Sequence, residues 1–147
     1  MRVFPGIVAA TFLLAGCQQQ PADPVASAAW VRLPAVSGRP GAAYFTLKGG
    51  TTADTLLAVS TPAALRAELH ETNRDQGRMA MRPAKDLALP AGGTLTFAPG
   101  GRHVMLFDMG ANVKPGDKLP LSLSLASGKR LELQAQAVGA GDPPPVN

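Results

Sequence analysis

From Leu119 to Leu125 every second residue is a leucine, with Pro120, Ser122 and Ser124 between. Successive side chains of a β-strand point to opposite faces, so as a strand this run has one apolar face and one wet face. A helix would scatter the same leucines around its axis. LELQAQAV (131–138) alternates too, and Ser127-Gly128 between the two runs has the composition of a hairpin turn. One-sided burial of this kind predicts antiparallel strands in a sandwich or small barrel.

The rest of the chain agrees. AAWVRL (28–33), AAYFTL (42–47), DTLLAVS (54–60), RAELHET (66–72), RMAMRP (78–83), TLTFA (94–98) and HVMLFDM (103–109) are short runs bounded by turn-forming residues. Pro99-Gly100-Gly101 marks a turn. The only helical candidate is a turn at Thr61-Pro62-Ala63-Ala64, with Thr61 as its cap. The expectation is an all-β domain of about eight or nine strands, with Trp30 and Tyr44 in its core. The tail after residue 138, GAGDPPPVN (139–147), reads as disordered.

The N-terminal stretch MRVFPGIVAATFLLAGC (1–17) has Arg2, an apolar run and small residues before a cysteine. That is the layout of a secretory signal, too short to span a bilayer in the mature protein. Leu14-Ala15-Gly16-Cys17 resembles the lipobox of bacterial lipoproteins, which implies removal of residues 1–16 and lipidation of Cys17. Residues 17–28 then read as a flexible tether, and 29–138 as the folded domain. Cys17 is the sole cysteine. With it lipidated, the domain has no thiol, which excludes disulfides, zinc–cysteine sites, iron–sulfur clusters and blue-copper centres. The formal net charge is +4 and the basic residues are scattered, so nucleic acid is not an expected partner.

The chain has only two histidines and five methionines, and most of them fall between His70 and Met109. On a strand, His103 and Met105 share a face, about 7 Å apart. Met79 and Met81 share a face too. Met109, last in its run, reads as core filler, and Met79 reads equally well as core or as a spare ligand. Thioether sulfur is soft, uncharged and not protonated, and Cu(I) is the common soft cation that takes it. Two imidazoles and two thioethers supply no charge, which suits a monovalent ion and suits Ca(II) or Mg(II) badly. Imidazole must be neutral to bind, so acid should weaken such a site.

His70, ten residues, Met81, twenty-one residues, then His103-Val104-Met105 reproduces H-x10-M-x21-H-x-M, and so resembles the motif of the periplasmic copper chaperones called PCu(A)C. AWVR (29–32), GAAYFTL (41–47), AELHE (67–71), MAMRP (79–83), LPAGGTLTFAPGGRHVML (89–106) and GDKLPLSL (116–123) resemble that family's segments in the family's order. The resemblance covers roughly residues 29 to 138. It implies a cupredoxin-like Greek-key β-sandwich with His70, Met81, His103 and Met105 as the Cu(I) ligands and Met79 as an auxiliary position. It also implies a non-enzymatic carrier outside the cytoplasm that delivers copper toward cytochrome c oxidase assembly. The lipobox adds an anchor to the periplasmic face of a bacterial membrane. No His or Met follows Met109, unlike members with a metal-binding tail. The rival expectations are a copper-buffering lipoprotein, a structural lipoprotein without metal, and a copper enzyme.

Overall fold

The structure, a computed structural model, describes residues 20–75 and 77–146. The signal segment 1–16 and Cys17 lie outside the described residues. Among the described residues there are ten strands and no helix: β1 (Val25–Arg32), β2 (Gly41–Lys48), β3 (Asp54–Ser60), β4 (Ala64–Asp75), β5 (Arg78–Pro83), β6 (Leu87–Leu89), β7 (Thr94–Phe97), β8 (His103–Met109), β9 (Lys118–Leu125) and β10 (Arg130–Val138). The tenth, beyond the expected eight or nine, is β6, whose three residues are too short to show a period. The Thr61 segment forms a turn rather than a helix: the Thr61 hydroxyl accepts the Ala63 N–H at 3.2 Å.

The strands are ordered β5-β4-β8-β2-β1-β10-β9-β3-β6, with β7 also on β2. The path curls into a cupredoxin-like Greek-key sandwich, so β3 and β4, far apart in the ladder, give Leu56, Val59 and Leu69 to one core. The alternation on β9 is realised as read: Leu119, Leu121, Leu123 and Leu125 are all buried. Each such leucine contributes roughly 1.5–3 kcal/mol by leaving water. Pairing is antiparallel throughout except between β1 and β10, which run parallel. Purely antiparallel pairing, the expectation from period-two patterning, fails there because burial on one face does not encode strand direction.

Trp30 and Tyr44 are buried but lie outside the main core. Their rings pack against each other at a tilt of 32°, with centroids 4.4 Å apart, and form a small cluster with Val138. The cause is a bulge in β1: Ser27 pairs with Thr46 but Trp30 with Tyr44, and Ala28 between them has φ 53°. The extra residue moves Val31 onto the core face and Trp30 onto the other.

The stretch read as a tether is docked from Gln20 onward. The Gln20 side chain donates to the Gly50 carbonyl at 2.5 Å, Thr51 N–H donates to the Ala22 carbonyl at 3.1 Å, and Asp23 pairs with Lys129. Strand β1 then opens at Val25, inside the expected tether. At the other end, Asp142 accepts the Gly139 N–H at 2.8 Å and its carbonyl takes Arg32 at 3.3 Å, so the start of the tail folds back on the domain.

Candidate metal centre

The site is set by strand register. β4 lies between β5 and β8, and His70 is directly opposite His103 on β8. Residues directly opposite across a ladder share a face. Met105 is opposite Glu68, two residues along both strands, and so lies on that face as well. Across the other ladder Met81 is opposite Thr72, Met79 opposite Arg74, and Pro83 opposite His70. His70, His103, Met105, Met81 and Met79 therefore all stand on one face of the β5-β4-β8 sheet. Leu69, Val104 and Leu106 stand on the other face and fill the core.

The two imidazoles are neighbours, with ring centroids 5.8 Å apart and planes at 40°. His103 is only 6% exposed. Its Nδ1 lies 3.0 Å from the Gly101 carbonyl. A carbonyl oxygen only accepts, so Nδ1 carries the proton and Nε2 keeps its lone pair. The same Gly101 carbonyl accepts the Thr72 N–H at 3.3 Å, which ties the turn before β8 to β4. His70 has the opposite arrangement. Its Nε2 lies 3.1 Å from Glu68 Oε2, while its Nδ1 is buried with no hydrogen-bond partner among the described residues. A buried polar atom without a partner is costly, and a lone pair left this way is suited to a cation.

The thioethers are distributed differently from the imidazoles. Met81 and Met79 are each 60% exposed on the outer strand β5. Met105 is half-buried beside the histidines. Met109 packs against the main core, as read from its position at the end of β8. Its sulfur occupies the space above Gly41, 2.5 Å from where a β-carbon would sit. Among the described residues no three of His, Cys, Asp and Glu cluster as a metal site.

Residues 25–137 match the family model described as "Putative lipoprotein LpqE-like". The chain belongs to the LpqE-like lipoprotein family. A relative in Leifsonia xyli subsp. xyli, "Putative lipoprotein Lxx21020", is 35% identical over 103 residues, 69% of this chain. The chain spans 61% of that relative's length. Among solved structures, CuI-DR1885 from Deinococcus radiodurans is 32% identical, covers 84% of this chain and 83% of its own, and superposes with a TM-score of 0.64. The copper-bound PCuAC domain from PmoF2 is 19% identical, covers 80% of this chain and 93% of its own, and has a TM-score of 0.66. The second likeness establishes the fold. The PCu(A)C resemblance read from the sequence thus agrees with the architecture of this LpqE-like domain.

Glu68 is the site residue that motif spacing did not mark. Its signal was present: a carboxylate two residues before a histidine on a strand shares its face. The hydrogen bond from His70, aided by the nearby Arg66 guanidinium, holds the Glu68 carboxyl below its ordinary range, so it is a carboxylate at neutral pH.

Proposed function

We propose that this LpqE-like chain is a lipid-anchored carrier of Cu(I) on the periplasmic face of a bacterial membrane, passing the ion to acceptors in cytochrome c oxidase assembly. Copper is its cargo, and no bond is made or broken in a substrate. The observation that carries the reading is the His70–His103 pair, each ring with one nitrogen engaged by oxygen and the other without a hydrogen-bond partner among the described residues. On the same face stand Met105, next to the pair on β8, and Met81 on β5, with Met79 as an auxiliary thioether. The set is soft and uncharged, which favours Cu(I) over Cu(II) or Zn(II). The likeness to CuI-DR1885 supports the same ion.

The gradient of exposure fits a carrier better than a store. The imidazoles are inside and the β5 thioethers outside. A docking acceptor reaches Met81 first and replaces sulfur by its own ligand before the histidines release the ion. Anchoring through Cys17 places the exchange where membrane-bound acceptors are, raising their effective concentration.

The test is Cu(I) titration under reducing conditions followed by copper-edge X-ray absorption. The expected result is one ion with two sulfur and two nitrogen neighbours. Absence of Cu(I) binding, or binding unchanged in His103→Ala, overturns the assignment. Lower oxidase activity in a deletion strain at limiting copper is the expected sign of delivery; unchanged activity there would point to buffering.

A further inference from the structure

The outer face of β4 and β8 carries a chain of contacts that ends on His70. The Arg66 guanidinium carbon lies 4.0 Å from the centroid of the Phe107 ring. Arg66 and Phe107 are opposite each other in the ladder, so strand pairing itself sets this stack. Arg66 Nη1 donates to Glu68 Oε1, and Glu68 Oε2 faces His70 Nε2 at 3.1 Å. Glu68 thus has one oxygen on the guanidinium and the other on the imidazole. Residues 66, 68 and 70 alternate down one face of β4, and Phe107 and Met105 run alongside on β8.

We infer that Glu68, steadied by Arg66 on Phe107, is a positioning residue that selects the nitrogen with which His70 meets the metal. The inference rests on the Cu(I) reading above. A carboxylate only accepts, so it fixes the His70 proton on Nε2 and leaves Nδ1 as the one donor for a cation. His103 is fixed the other way by the Gly101 carbonyl and offers Nε2. The two histidines therefore bind through unlike nitrogens, one held by a side chain and one by the backbone. Outer-sphere partners of this type hold ring orientation and raise ligand basicity, and their loss costs about 10- to 100-fold in metal affinity. The contact does a second thing: a ring turned over to bind through Nε2 would lose its hydrogen bond to Glu68.

Ring nitrogens are read directly by long-range proton–nitrogen NMR, and Cu(I) is diamagnetic. In the apo protein the His70 proton is expected on Nε2 and protected from exchange, in the wild type and in Glu68→Gln, whose amide oxygen still accepts. Glu68→Leu is expected to lose that protection. On adding Cu(I), the His70 Nδ1 resonance should shift while Nε2 stays protonated. Competition with a Cu(I) chelator should show about 10- to 100-fold weaker binding in Glu68→Leu, near-wild-type binding in Glu68→Gln, and an intermediate loss in Arg66→Met. Cu(I) on His70 Nε2, or wild-type affinity in Glu68→Leu, overturns the inference while the copper reading stands. A wild-type protein that takes no Cu(I) removes the copper reading and this role with it. The loaded wild-type spectrum decides the donor atom even if Glu68→Leu fails to fold.

Discussion

His103 and Met81 make opposite demands on the fold. His103 is 6% exposed and hydrogen-bonded to the backbone; Met81 is 60% exposed on an outer strand. Substituting them should separate binding from stability. Met81→Leu should leave the unfolding free energy within about 0.5 kcal/mol, as surface changes do. It should still weaken Cu(I) by at least the about 10-fold lost with groups that only orient ligands. His103→Ala should weaken Cu(I) and also cost about 1–3 kcal/mol, because it strips a buried, hydrogen-bonded side chain. Denaturant unfolding and chelator competition measure the two effects. A Met81→Leu variant that binds like the wild type would shift the thioether role to Met79. At this scale the shared faces of His103 with Met105 and of Met79 with Met81 were legible from the two-residue period, whereas the register that brings both pairs and His70 to one face was not. Which nitrogen of each ring is free was not, because that depends on a carbonyl in a turn and a carboxylate beside His70.

Turns and bulges decide where those side chains end up. The turn before β8 was legible as Pro99-Gly100-Gly101. Gly101 N–H donates to the Ala98 carbonyl at 3.0 Å, and Gly100 has φ 83°. No atom lies within 4 Å of a β-carbon added at Gly100, so alanine there would meet strain and no clash. The left-handed conformation costs an L-residue roughly 1–2 kcal/mol. Gly100→Ala should lower stability by about that amount. It should also speed hydrogen exchange at the Thr72 N–H, because the Gly101 carbonyl that holds it sits in this turn. Slowed or unchanged exchange would mean the turn does not carry the site. The β1 bulge, by contrast, could not be read. AAWVR has no alternation to violate, so the inserted residue that separates Trp30 from the core leaves no mark in the sequence.

At the scale of the whole molecule, Asp54 ties the start of β3 to the turn of the β9–β10 hairpin. Its carboxylate accepts the Thr55 N–H at 2.8 Å, the Ser127 N–H at 3.1 Å and the Ser127 hydroxyl. The Ser127 hydroxyl bond is the main reason its pKa is depressed. A group depressed in the folded state stabilises above its unfolded value, about 3.9 for Asp, and loses that contribution as pH falls through the folded value. Asp54→Asn should therefore be less stable than the wild type at neutral pH, with the gap closing in acid; urea midpoints at both pH values test this. Under the proposed lipid anchor, the same strand directions predict an orientation on a membrane. β2 runs antiparallel to β8, so its Lys48 end lies beyond His103 and faces the same way as the far end of the β4–β5 hairpin. The docked Gln20 sits at Gly50, at that end. With Cys17 lipidated, three residue steps separate the anchor from Gln20, a reach of about 10 Å. Under the proposed anchoring, a link this short is expected to hold the β5 methionines toward the bilayer. A spin label at Arg78→Cys, on the hairpin, should then be relaxed by a headgroup-bound paramagnet several times more than one at Ser37→Cys, at the opposite end. Equal relaxation at the two positions would mean the domain tumbles freely, and the docking of residues 20–24 would not govern how copper is presented.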